Sequence, residues 1–222
     1  MEKIVGTEMR IGLDFDNTII CYDEIFYKIA LEQELIPSNL PKNKGSVRDY
    51  LREEGKEDIW TEMQGYVYGK RLREAPPFPG VFEFLRFCRE NSIFVCIISH
   101  KTRHPYAGEK YDLHQAAYDW LEYQGFFDPE KINFHKDRLF FELTKQDKID
   151  RIKSLKCTHF VDDLPELFAE PSFPEDVYSI LFDPNDNHLS NHDLHRVSNW
   201  DELVRLFCNG IITKELHDKG IN

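Results

Sequence analysis

Four short apolar runs punctuate the chain: RIGLDF (10–15), IFVCIIS (93–99), HFVD (159–162) and VYSILF (177–182), with KINFH (131–135) as a weaker fifth. Each run is nearly continuous rather than alternating, the pattern of strands buried on both faces of a parallel sheet. Helical spacing fills the intervals. GVFEFLRFCREN (80–91) follows a Pro-Gly start, and YDLHQAAYDWLEYQG (111–125) stops at a Gly. In KIDRIKSL, Asp147 is placed to cap a helix that sets Ile149, Ile152 and Leu155 on one face. This alternation predicts an α/β fold, a doubly wound parallel Rossmann-like sheet.

One stretch breaks the alternation. From about Asp23 to Ala75 the chain is charged and helical in character (DEIFYKIALEQEL, then SVRDYLREEGKEDIWTEMQGYVYGKRL), and APPFPG (75–80) closes it. A parallel crossover needs only about a dozen residues. The expected organisation is a core of residues 1–20 and 79–222, with residues 21–78 inserted as a small helical cap.

Composition narrows the class. A hydrophobic fraction of 41% supports a sizeable core, and the interleaving of 28 basic with 40 acidic residues argues against disorder. The net charge of −12 argues against a general partner for nucleic acid or an anionic membrane. An anionic substrate stays open, because a bound divalent cation or a few local lysines can invert the field. Cys21, Cys88, Cys96, Cys157 and Cys208 form no CxxC pair, which suggests reduced thiols in a cytoplasmic protein. The start, MEKIVGTEMRI, lacks the pattern of a signal peptide, and no stretch approaches the roughly 20 apolar residues of a spanning helix.

The chemistry gathers at strand ends. In MRIGLDFDNTII (9–20), Asp14 and Asp16 are two residues apart and can face one site while Phe15 packs away from it. Ligands of parallel α/β sheets bind at the carboxyl ends of strands. There IFVCIIS ends in Ser99, followed by His100 and Lys101, and HFVDD ends in Asp162 and Asp163. Lys148 opens the helix leading into that last pair, with Lys145 one turn earlier.

A phosphate bound with Mg²⁺ gives each group a task. Mg²⁺ takes hard oxygen ligands: a few carboxylates, waters and phosphate. Asp14 would attack phosphorus, and Asp16 would protonate the leaving oxygen and then activate water. Ser99 would hold phosphoryl oxygens, His100 and Lys101 sit at the expected substrate mouth, and the lysine would balance charge.

These four signals in this order, DFDNT (14–18), IISHK (97–101), Lys148 and VDDLPE (161–166), resemble the haloacid dehalogenase-like hydrolase superfamily. PFPGVFEFLRFCRENSIFVCIIS also resembles the helix and strand that precede its second motif. The resemblance implies Asp14 as nucleophile, Asp16 as general acid/base with its main-chain carbonyl on Mg²⁺, and Ser99 as phosphate anchor. It further implies Asp163 as direct metal ligand, Asp162 acting through water, and a substrate-selecting cap at about 21–78. Two positions depart from the pattern: Asn17 replaces the common Gly, and Lys148 stands only 14 residues before Asp162, which keeps Lys145 in contention.

The expected activity is a Mg²⁺-dependent phosphatase of a small phosphorylated metabolite, a sugar phosphate or nucleotide. The alternatives are a phosphomutase of the same fold and a catalytically silent binding domain. Asp16 argues against a dehalogenase, which has no alkoxide to protonate. Substrate-selecting cap residues would come from Tyr27, Arg48, Trp60, Tyr66, Tyr68 and Arg71. Plainer readings exist: an isolated DxD is often a solvated strand end, Ser99 alone a turn residue, and one of the two lysines an exposed helix charge. His188, His192 and His195 invite a zinc reading that no helical pattern supports.

Overall fold

The computed structural model describes residues 9–189 and 193–218. Six strands, β1 (Arg10–Leu13), β2 (Phe94–His100), β3 (Leu139–Glu142), β4 (His159–Asp162), β5 (Tyr178–Phe182) and β6 (His195–Val197), form one sheet. Their order is β3-β2-β1-β4-β5-β6, and every pairing is parallel. The α/β, doubly wound class is therefore observed. The chain leaves β1 and returns on either side of it, to β2 and to β4, which is the switch point where such sheets bind ligands.

Side chains of β1, β2 and β4 sort by parity. Ile11, Leu13, Val95, Ile97 and Val161 belong to the larger core, which includes α4 (Val81–Glu90), α5 (Leu113–Gln124) and α8 (Trp200–Asp218). Cys96, Ile98 and Phe160 face a second core with α6 (Lys145–Ser154) and α7 (Pro165–Phe168). Gly12 sits in the middle of β1 because a Cβ there would lie 2.5 Å from the Phe160 ring. The close approach lets β1 and β4 deliver their carboxylates side by side.

Three helices stand between β1 and α4: α1 (Asp23–Glu32), α2 (Lys44–Glu53) and α3 (Glu57–Gly69). The two connections to them run together, with Cys21 N donating to Pro76 O at 2.9 Å and Phe78 N to Ile19 O at 2.8 Å. Aromatic packing fills the interior of this unit: Tyr22 against Tyr68 and Phe26 against Trp60 are each 4.9 Å between ring centroids.

The strands differ from the sequence reading at both edges. KINFH is a loop, because Asn133 adopts φ of 55°, outside the extended region, while Ile132 and Phe134 still bury. The edge strand is instead LFFE, an apolar run of only three residues whose four positions are all half-buried. β6 has three residues, too few to register as a pattern. The cap of α6 is also Thr144 rather than Asp147: the Thr144 hydroxyl accepts from Asp147 N at 3.0 Å and donates to the Asp147 carboxylate at 2.7 Å. The helix thus begins at Lys145, which puts Lys148 at the end of its first turn. His188 lies in a turn, His195 is exposed on β6, and His192 lies outside the described residues.

Candidate active site

Asp14 directly follows β1 and remains tied to the sheet, its N donating to Val161 O at 2.9 Å. It is in phase with Gly12, as Asp162 is with Phe160, so both carboxylates turn toward α6. That helix supplies Lys148, whose Nζ lies 2.5 Å from Asp14 Oδ1 and 2.6 Å from Asp162 Oδ2, all three side chains buried. Lys145 instead pairs with Glu170 at 2.6 Å on the surface. Of the two lysines, Lys148 is the one in contact with the strand-end carboxylates.

Asp162 uses its second oxygen to accept from Leu164 N at 2.9 Å. Asp163, half-buried, accepts from the Asn17 amide at 3.1 Å. Carboxylate oxygens of Asp14, Asp162 and Asp163 lie within 4.8 Å of one another. Burial, with Asp162 and Asp16 adding to it against Lys148, pushes the Asp14 carboxyl up to about 7. Burial and the neighbouring Asp162 and Asp14 push Asp163 well above the usual carboxylate range. One lysine does not offset this much negative charge, so the cluster is a place where a cation is favoured.

Asn17 explains its own departure from the motif. Its φ is 55°, the left-handed conformation that glycine adopts freely and that asparagine tolerates best among the other residues. The turn keeps its shape, and the substitution adds an amide that orients Asp163. Two tryptophans support the turn from behind: Trp200 Nε1 donates to Thr18 O at 3.1 Å, and Phe15 packs edge-on to Trp120 at 5.4 Å.

Asp16 is not among the clustered carboxylates and is bonded by two other segments, the loop after β2 and the residue before α1. Lys101 Nζ lies 2.9 and 2.7 Å from its two oxygens, and the Tyr22 hydroxyl donates to Oδ1. Burial alone would raise the Asp16 carboxyl, but Lys101 and Tyr22 hold it below the ordinary value. Lys101 is buried rather than solvated, and its main chain is fixed, with N on Glu142 O at 2.8 Å and O bonded by His114 Nε2 at 2.7 Å. Ser99 is buried one residue before the end of β2, and His100, its last residue, is exposed.

Most of the expected cap selectors lie elsewhere. The Tyr27 hydroxyl donates to Ser38 O, Arg48 pairs with Asp49, Trp60 is buried in the insertion, and Arg71 is held by Glu32 and Glu74. Tyr68 alone among them packs beside site residues, its ring 5.2 Å from Lys101 Nζ. Tyr22 and Lys44 are the additions made by the structure, which also pairs Lys101, expected at the substrate mouth, with Asp16. Tyr22 carried a readable signal, as an aromatic six residues beyond Asp16 at the mouth of the insertion; Lys44 carried none.

No family model and no curated protein matches this chain. Solved structures do. A HAD-superfamily hydrolase from Ehrlichia chaffeensis matches with a TM-score of 0.55 and 13% identity, covering 93% of this chain and 100% of the other. A HAD-hydrolase from Bacillus subtilis, whose structure contains magnesium, matches at 0.53 and 14% identity over 90% and 99%. A HAD family hydrolase from Deinococcus radiodurans, with bound phosphate and sodium, matches at 0.52 and 13% identity over 88% and 93%. The chain therefore has the fold of the haloacid dehalogenase-like hydrolase superfamily, as the order of its four motifs implied.

Proposed function

We propose that this chain is a Mg²⁺-dependent phosphomonoesterase acting through an aspartyl-phosphate on Asp14, with residues 21–78 as the cap that admits a small phosphorylated substrate. The observation that carries the reading is the convergence of Asp14, Asp162 and Asp163 beside Lys148, with a separate carboxylate, Asp16, held by Lys101. The donor set is all oxygen and compact, which suits Mg²⁺. Asp14 and Asp163 would hold the ion directly with the main-chain carbonyl of Asp16, and Asp162 through water. Its oxygens already engage Lys148 and Leu164 N. When bound, Mg²⁺ supplies charge neutralisation at the phosphoryl oxygens and keeps Asp14 ionised.

The residues then divide the work. Lys148 holds Asp14 Oδ1, which leaves Oδ2 to attack phosphorus. The phosphorus–oxygen bond to the alcohol breaks, and the leaving oxygen takes a proton from Asp16. In the second half Asp16 removes a proton from water, the water oxygen attacks phosphorus, and Asp14 leaves as carboxylate with inorganic phosphate released. Ser99 and nearby N–H groups would hold the phosphoryl oxygens, with His100 at the rim.

Lys101 and Tyr22 stabilise the ionised form of Asp16, the form that activates water. Arrival of a phosphate dianion works against them and favours the protonated form needed first. The presence of this second carboxylate supports ester hydrolysis over carbon–halogen cleavage, which has no alkoxide to protonate.

The test is phosphate release from a panel of phosphomonoesters, with Mg²⁺ and with EDTA, for wild type and Asp14→Asn. We expect metal-dependent release that the substitution abolishes. Release that survives Asp14→Asn would overturn the mechanism. Absence of release from folded protein on every ester would favour a phosphomutase or a silent binding domain.

A further inference from the structure

Lys44 is the first residue of α2, and its position is fixed from three sides. Asn43 caps the helix by accepting from Ser46 N at 2.7 Å. Lys44 N donates to Asp23 Oδ1 at 3.0 Å, and the other oxygen of Asp23 accepts from Asn185 of the loop after β5 at 3.1 Å. The start of the helix is thereby tied both to α1 and to the sheet side of the molecule.

The ammonium ends over three aromatic rings, 5.5 Å from Tyr22 and 5.6 Å from Phe26 and from Tyr68. Lys28, Arg48, Arg52, Lys56 and Arg71 of the same insertion each have a carboxylate within 4.0 Å. Lys44 has none among the described residues. Burial alone would lower its pKa, yet Tyr68, Asp163 and Asp16 raise it, so it is held charged. It is a partly buried cation supported by aromatic faces and by the field of the site, without a direct ionic partner.

Where this charge lies decides its role. Lys148 already serves the Asp14–Asp162 side, where the phosphoryl group would sit. Lys44 lies instead over the ring of Tyr22, whose hydroxyl donates to Asp16, and so on the side assigned to the leaving oxygen. Asp16 is engaged bidentately by Lys101 and also bonded by Tyr22, so it needs no further cation. Resting on the phosphatase reading above, we propose that Lys44 determines specificity by binding a carboxylate on the alcohol portion of a compact phosphomonoester. One ammonium matches one carboxylate charge, and its three donors suit a freely oriented small anion. Tyr22 packs on Tyr68 and Phe26 on Trp60, each at 4.9 Å, so the rings around Lys44 are engaged with one another.

A matched pair of esters tests this: 3-phosphoglycerate and glycerol 3-phosphate differ in whether a carboxylate or a hydroxymethyl group lies beyond the ester. Their kcat/KM ratio is measured with Mg²⁺ for wild type, Lys44→Met and Lys44→Arg. A charge-assisted hydrogen bond predicts a wild-type ratio of about tenfold or more in favour of the carboxylate. In Lys44→Met the ratio falls to near one, mainly through KM, and Lys44→Arg retains most of it. A ratio near one in wild type overturns the inference and leaves the phosphatase reading standing. So does a loss in Lys44→Met that is equal for both esters, as a purely structural or phosphoryl-binding lysine would produce. If wild type hydrolyses neither these nor any panel ester, the phosphatase reading fails and the inference with it.

Discussion

Lys101 grips both oxygens of Asp16, at 2.9 and 2.7 Å, from a buried position where its own main chain is bonded on either side. The carboxylate proposed to give and take a proton is thus biased toward its charged form by one specific partner. Removing that partner raises the Asp16 pKa. In Lys101→Met, every limb of the pH–rate profile that reports Asp16 is expected to move to higher pH, by about one unit or more. A profile that falls in height without moving would mean that Lys101 acts on the fold and not on the acid.

Asn17 combines a backbone constraint with an amide on Asp163, and two substitutions separate these parts. Asn17→Gly keeps the left-handed turn and loses the amide. Asn17→Ala loses both, and a left-handed alanine costs about 1–2 kcal/mol. Unfolding should therefore place Asn17→Gly above Asn17→Ala in stability. Both should bind Mg²⁺ about 10–100-fold more weakly, as loss of an orienting partner does at other metal sites. Equal stability of the two variants would show that the turn relaxes around either residue.

The central strands and most of the candidate site were legible in the sequence for one physical reason: residues at the switch point are buried, and burial writes a pattern. β1, β2, β4 and β5 read as continuous apolar runs, and Asp14, Ser99 and Asp162 stand where three of those runs end, with Lys148 in the helix that leads into β4. The edge strands did not read, because LFFE is half-buried throughout and HRV is too short. Thr144 was missed as a cap because Asp147, three residues on, offers the same chemistry. Lys44 was illegible and Lys101 was legible only as a residue at the expected mouth, not as the partner of Asp16, since an ammonium that lies in a ring cage or on a carboxylate has the same letter as one in water. Asn17 was legible only as an anomaly, and its dihedral angle supplies the explanation.

Lys148 and Lys145 share a helix turn and differ in everything the site needs. Lys148→Met strands Asp14 and Asp162 as buried, unpaired carboxylates, which costs about 3–5 kcal/mol when one partner of a buried pair is removed. Part of that loss should return on adding Mg²⁺. Lys145→Ala breaks only an exposed pair with Glu170, worth about 0–1 kcal/mol, and leaves activity intact. Chemical denaturation with and without Mg²⁺ checks both; comparable losses in the two variants would remove Lys148 from its assigned place.

The pH dependence of metal stabilisation follows from the raised carboxyls. Asp14 rises from 3.8 to about 7 on folding, and Asp163 is raised as well. A carboxyl raised in this way prefers its proton in the folded state. Its contribution is most favourable below about pH 4 and is lost as pH climbs through the folded value near 7. Mg²⁺ binds only the ionised carboxylates, so it competes with those protons and restores stability where they have left. The rise in Tm caused by saturating Mg²⁺, measured against EDTA, should be larger at about pH 8 than at about pH 5. In Asp163→Asn the difference between the two pH values should shrink. Increments that do not change with pH, or that persist in Asp163→Asn, would place the cation at groups other than these carboxylates.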